Sequence, residues 1–220
     1  MVSQDSLPGK LIVFEGIDGS GLTTHAERLQ RWMNRSGTKK ACLTKEPTSG
    51  PIGALIRLKL TGRIDLDEAT LALMFAADRL DHLNNLIIPR LSSGINVICD
   101  RYYLSSLAYQ SLSLDTDWIK SINRMARRPD LTILLDVPAH ICWERIARER
   151  WHVELYETET TLDKVRANYH RFVQELRAAG ENIVVIKGYT QSGSRPIREI
   201  ELEVQEAVRS VIDCPLSVTT

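Results

Sequence analysis

A chain of 220 residues with 43% hydrophobic and 25% charged side chains can bury a real core and reads as one globular domain, 1–220. Lysine plus arginine number 28, as do aspartate plus glutamate, so the formal net charge is zero; the basic excess of a general nucleic-acid or membrane-surface binder is missing, and neither partner is expected. No apolar run approaches the roughly 18 residues that span a bilayer, and "MVSQDSLPGK" lacks the basic stretch and apolar core of a secretory signal, so a cytoplasmic location is expected.

In chain order, "LIVFEG" reads as a short buried strand. It runs into "GIDGSGLTT", Gly16 to Thr24, and then into the helical pattern "TTHAERLQRWMNRSG", which ends at Gly37. A phosphate-cradling loop reads glycine, four residues, glycine, lysine, then serine or threonine, between a strand and a helix. Gly16, Gly21 and Thr23 hold their places, but Leu22 stands where the lysine belongs. Backbone N–H groups and the positive helix end can still hold phosphate oxygens, so nucleotide phosphate binding is predicted over a plain structural turn.

"ACLTKE" is a second strand, and Glu46 precedes Pro47, which places it on extended or turning backbone. "DEATLALMFAADRLDHLNNLIIPRL" is a long helix that Pro89 is expected to break or kink near its end. Phe75 and Arg79, four apart, share one face of it. The third strand, "NVICDR", carries Cys99, read as a core thiol, and ends on Asp100 and Arg101. A carboxylate there can hold Mg²⁺ directly or through water, with Thr23 offering a hydroxyl; the competing reading of Asp100 is a helix N-cap. A guanidinium such as that of Arg101 binds phosphate oxygens at two points. "LTILLDV" is the fourth strand, and "AHICWERIARER" and "LDKVRANYHRFVQELRAAG" are amphipathic helices. Arg145, Arg148 and Arg150 could merely pair with Glu144 and Glu149 on an exposed helix. "NIVVIKG" is the fifth strand, and residues 214–220, "CPLSVTT", read as a loose tail. Strand and helix in alternation predict an α/β fold: a five-stranded parallel sheet with helices on both faces and ligands beyond the carboxyl ends of the strands.

The stretches "FEGIDGSG", "KEPT", Ile56–Arg57, "FAADR", "ICDRYYLSSLAYQ", "RPDLTILLDV" and "RIARER" occur in this order and together resemble the thymidylate kinases. The resemblance runs from about Leu11 to about Tyr169 and more weakly beyond. It implies a P-loop NTPase of the nucleoside monophosphate kinase type, which transfers the γ-phosphoryl group of ATP to dTMP, giving dTDP for dTTP synthesis, with Mg²⁺ as cofactor. It also implies a homodimer. On this resemblance Gly16, Ile17, Asp18, Gly19, Ser20, Gly21, Leu22, Thr23 and Thr24 surround the ATP phosphates, and Arg145 stacks on adenine. Thr23 and Asp100 hold the metal; Asp18, Arg101, Arg148 and Arg150 are the catalytic set. Glu46 lies near the acceptor sugar and metal, and Arg57 and Arg101 bind the acceptor phosphate. Phe75 stacks on thymine, Arg79 binds the base edge or phosphate, and Ser106 and Gln110 bond the base. Tyr109 fills the place of a ribose 2′-hydroxyl and so selects deoxyribose.

Two features depart from that pattern. Besides Leu22, the lid implied at about residues 146–160 has "ELYE", near Glu154 and Leu155, where the family has an Asp-Arg pair. Loss of one preorganised donor to a charged transition state costs about 10²–10³ in rate. The expectation is that Arg148 or Arg150 swings in with the lid to replace the missing charge. A nucleotide-binding protein without useful transfer, and a kinase for another acceptor, stand as the alternatives.

Overall fold

The computed structural model describes residues 7–35, 40–149, 156, 158–191 and 193–212. Five strands, β1 (Leu11–Glu15), β2 (Ala41–Lys45), β3 (Asn96–Asp100), β4 (Leu131–Asp136) and β5 (Ile183–Lys187), form one sheet in the order β2-β3-β1-β4-β5. All four pairings are parallel, with Phe14 opposite Asp100 and Glu15 opposite Leu134. β1 and β3 are buried along their whole length, as expected of strands covered on both faces.

The alternation of side chains along each strand divides the core in two. Leu11, Val13, Val97 and Cys99 point to one side, where α3 (Glu68–His82), α5 (Tyr103–Gln110), α7 (Ala139–Glu149) and α8 (Glu159–Ala178) pack. Ile12, Phe14, Ile98 and Ile133 point to the other, under α1 (Leu22–Arg35) and α9 (Ile197–Ile212). Cys99 is a buried core thiol, as expected, and the cysteines among the described residues are free.

The long helix around Pro89 continues without a break. After α3 it widens into a single π turn at Leu83–Ile87, where Ile88 N–H bonds the Leu83 carbonyl, and resumes as α4 (Ile88–Ser92). Proline lacks the N–H an α-helix would use, and the wider turn absorbs that defect. Three more helices did not stand out in the sequence pattern: α2 (Pro51–Leu60), α5 and α6 (Thr116–Asn123). A β-ribbon of β6 (Tyr189–Thr190) and β7 (Gly193–Ser194) follows β5. No helix of the described residues is long and apolar enough to cross a membrane.

Candidate active site

At the carboxyl ends of β1, β3 and β2 lies a cleft of about 760 Å³, within the size range of small-ligand sites. One end is walled by Ile17 to His25, the other by Glu46, Arg57, Phe75, Arg79, Ser106 and Gln110. Asp100, Arg101 and Tyr109 lie on the cleft wall as well.

The loop between β1 and α1 has the conformation its glycines allow. Gly19 and Gly21 sit at φ 79° and 95°, the left-handed region that favours glycine. A Cβ on Gly19 would come within 2.6 Å of the Cys142 carbonyl, so the loop is pressed against α7. Leu22 opens α1 and is only 6% exposed; it packs with Ile12, Phe14 and Ala26. At the place of the lysine the loop therefore has an apolar anchor. Ser20 Oγ is buried with no partner among the described residues, as suits a group kept for a ligand.

Thr23 donates its hydroxyl to Asp100 Oδ2 at 2.6 Å, joining the start of α1 to the end of β3. Asp100 is not the N-cap of α5; Tyr102 holds that position. A hydroxyl and a carboxylate side by side are hard oxygen donors and fit Mg²⁺.

Among the described residues, Arg101 is the non-glycine with positive φ, 70°. Its Nη1 donates to the Gly16 carbonyl at 2.8 Å, and its Nη2 to Asp18 Oδ1 at 2.7 Å. Tyr109 closes the arrangement, donating to Asp18 Oδ2 at 2.8 Å and accepting from the Asp18 N–H at 3.2 Å. The Arg101 guanidinium lies 5.3 Å from the Tyr109 ring centroid. A cation from the end of β3 is thus fixed inside the loop that has lost its own.

On the acceptor side, Asp78 accepts from Thr48 N–H (2.7 Å) and hydroxyl (2.6 Å), which fixes the segment after Pro47. Arg57 lines the cleft and donates to the Thr48 and Pro47 carbonyls, so it is more than a solvated helix residue. Phe75 is half-buried on the cleft wall and belongs to neither core cluster. Gln110 is 2% exposed, and its Oε1 has no partner among the described residues. Arg79, expected to bind the base edge or phosphate, lines the cleft and is also bonded within the protein. Its nitrogens reach Glu46 Oε2 (2.9 Å), Ser106 Oγ (3.2 Å) and Asn123 Oδ1, so it holds the pocket wall in place.

Glu46, His82 and Cys99 bring three ligand-type atoms within 4.8 Å of one another. His82 is already bonded to Glu46 Oε1 (3.1 Å) and Thr44 Oγ1 (2.7 Å), and Glu46 to Arg79, so the cluster is a satisfied polar core.

Arg145 donates to the Gly19 carbonyl at 2.9 Å and to Ser194 Oγ at 2.8 Å, bridging loop and β-ribbon. Arg148 turns away: it is 77% exposed and pairs with Glu144 at 3.3 Å. Arg150, Glu154 and Leu155 lie outside the described residues, as does much of the expected lid and the tail. Lys10, just before β1 and so at the amino ends of the strands, away from the cleft, pairs with Asp130 at 3.5 Å. Glu15, Ser105, Asp78 and Tyr169 escaped the sequence reading; the one visible signal was a glutamate closing an otherwise apolar strand.

A five-stranded parallel sheet, a glycine-rich loop after its central strand and a cleft running from that loop to Phe75 fit a nucleotide-dependent phosphotransferase. The sequence comparisons give the family. The thymidylate kinase family model matches residues 14–193. A protein of Pyrococcus horikoshii named "probable thymidylate kinase" is 44% identical over 177 residues, covering 76% of this chain and 83% of that protein. One of the same name from Methanocaldococcus jannaschii is 38% identical over 194 residues, covering 88% and 92%. A relative from Aeropyrum pernix, likewise named as a thymidylate kinase, is 37% identical over 201 residues, covering 90% and 95%. The chain belongs to the thymidylate kinase family.

Proposed function

We propose that this chain transfers the γ-phosphoryl group of ATP to dTMP, and that Arg101 provides the loop charge that Leu22 does not. The observation that carries the reading is the single cleft, in which the loop and the pocket of Phe75, Ser106 and Gln110 share Arg101 and Tyr109 as wall. In the reaction an acceptor phosphate oxygen forms a bond to the γ-phosphorus while the bond to the β-phosphate bridging oxygen breaks. The loop N–H groups hold the donor phosphates, and Arg101 neutralises charge between donor and acceptor. Thr23 and Asp100 would hold Mg²⁺, which when bound offsets charge on the transferred group. Arg145 packs against the donor base, and the lid arginines Arg148 and Arg150 add charge when the lid closes. Phe75 stacks on thymine, Ser106 and Gln110 bond it, and Tyr109 excludes a 2′-hydroxyl.

ADP release with ATP–Mg²⁺ across a panel of nucleoside monophosphates tests this. dTMP should lead, with dUMP a weak substrate, because one methyl contributes only about 1–3 kcal/mol. Equal turnover of CMP or AMP would refute the assignment. The burial of Leu22 favours a second reading, nucleotide binding without useful transfer; ATP binding with no ADP release would establish it.

We also infer a cytoplasmic homodimer that binds neither nucleic acid nor membrane. Leu55, Leu58 and Leu73 stand exposed on α2 and α3, and a partner copy would cover them. Light scattering that returns the 24.9 kDa of one chain at micromolar concentration rejects the dimer.

A further inference from the structure

Glu15 closes β1 immediately before the loop and is completely buried. Its Oε1 accepts from the backbone N–H groups of Tyr102 (2.8 Å) and Ser105 (3.2 Å), which together fix the start of α5. Its Oε2 accepts from two hydroxyls, Ser105 Oγ at 2.6 Å and Tyr169 at 2.9 Å. Those two oxygens also flank Arg101, whose Nη1 reaches Ser105 Oγ at 3.1 Å and Tyr169 at 3.3 Å.

The polarity of this chain of bonds follows from its chemistry. A hydroxyl has one proton and two lone pairs, a carboxylate has only lone pairs, and a guanidinium only donors. Ser105 Oγ and Tyr169 Oη also lie 2.8 Å apart, so one hydroxyl gives its proton to Glu15 and the other to Glu15 or to its neighbour; either way each keeps a lone pair for Arg101. We propose that Glu15 is a positioning residue for phosphoryl transfer: its carboxylate orients the Ser105 and Tyr169 hydroxyls, which hold the Arg101 guanidinium against Gly16 and Asp18. This rests on the role assigned to Arg101 above. Glu15 touches no substrate itself and acts through the arginine.

The arrangement responds to the protonation of Glu15. Burial pushes its pKa up to about 7, against the downward pull of the Ser105 hydrogen bond and the Arg101 charge. The titratable groups around it are Arg101 after β3, Cys99 on β3 and Tyr169 on α8. Once protonated, the carboxyl loses its charge and becomes a donor, and the hydroxyl it bonds must turn its own proton to the neighbouring hydroxyl or towards the guanidinium. Glu15→Gln imposes the same reversal without changing the side chain's shape.

The experiment measures kcat and both KM values of the full chain from pH 6 to 9, for the native protein, Glu15→Gln, Tyr169→Phe, Arg101→Lys and the Glu15→Gln/Arg101→Lys double variant. Expected are a kcat at pH 8 lowered about 10-fold by Glu15→Gln, an ATP KM within about twofold, and loss of the rise in kcat near pH 7. Tyr169→Phe, which leaves the β1 carboxylate and its backbone bonds in place, should lower kcat by a smaller factor. In the Arg101→Lys background Glu15→Gln should cost less than about twofold. Native-like kcat in both Glu15→Gln and Tyr169→Phe overturns the proposal, as does a Glu15→Gln loss that is undiminished in the Arg101→Lys background. A native chain that transfers nothing to dTMP would instead sink the functional reading.

Discussion

Arg101 Nη2 donates to Asp18 Oδ1 at 2.7 Å, and the two residues stand 83 positions apart in the chain. The phosphate loop thereby gains, through space, a positive charge absent from its own sequence. Arg101→Ala should lower kcat by about 10²–10³ with a much smaller change in ATP affinity, the signature of a donor used in the transition state. Arg148, which reaches solvent and Glu144, should matter less: Arg148→Ala is expected to cost about 10-fold. Steady-state kinetics paired with calorimetric ATP binding reads both, and a larger loss for Arg148 would transfer the leading role to the lid.

Leu22 anchors the loop to the core. Leu22→Ala leaves a gap beside Ile12 and Phe14 and should destabilise the fold by about 2–4 kcal/mol while ATP binding largely survives. Leu22→Lys brings an ammonium to a position 6% exposed, so it should lower the melting temperature without raising kcat. Calorimetric melting with and without ATP, beside steady-state kcat, checks both variants. A faster Leu22→Lys enzyme would show that Arg101 leaves the charge unreplaced.

Phe75 lines the cleft from outside the core clusters, so truncating it should be felt by ligand more than by the fold. Phe75→Ala should raise the dTMP KM by about 5- to 100-fold, a stacking loss of about 1–3 kcal/mol by analogy with other base–aromatic contacts. The melting temperature should move little. An unchanged KM with a lower melting temperature would make the ring a packing residue.

His25 gives the acid limb of stability a definite sign. It is 5% exposed on the first turns of α1, and burial lowers its pKa from 6.5 to about 4, with Glu201 opposing and Arg28 and Arg145 assisting. The folded value lies below the unfolded one, so its contribution is present above about pH 6.5 and is lost as pH falls towards 4. The full swing is on the order of 3 kcal/mol. His25→Leu should flatten the fall in melting temperature across that window. An equally steep fall in the variant would assign the acid sensitivity to other groups.

Local pattern was enough for much of this protein. Five apolar runs of strand length, separated by helical periods, determined five parallel strands in place, and the glycines of "GIDGSG" determined a phosphate loop at the central one. Those signals are legible because alternation along a strand and the φ freedom of glycine are properties of neighbouring residues. α2, α5 and α6 were harder, since short helices of eight to ten residues carry little periodicity. What a replaced or retained residue does at the site was beyond local pattern. Leu22 reads as a missing lysine, yet it is a core contact under α1. Arg79 stands on the helix face of Phe75, but that its nitrogens also reach Glu46, Ser106 and Asn123 could not be read there. Glu15 reads as the end of a strand, yet it meets Tyr169 across 154 positions. Which partner satisfies a buried charge depends on which elements the fold brings beside it, and only the packing of α5 and α8 against β1 decided that.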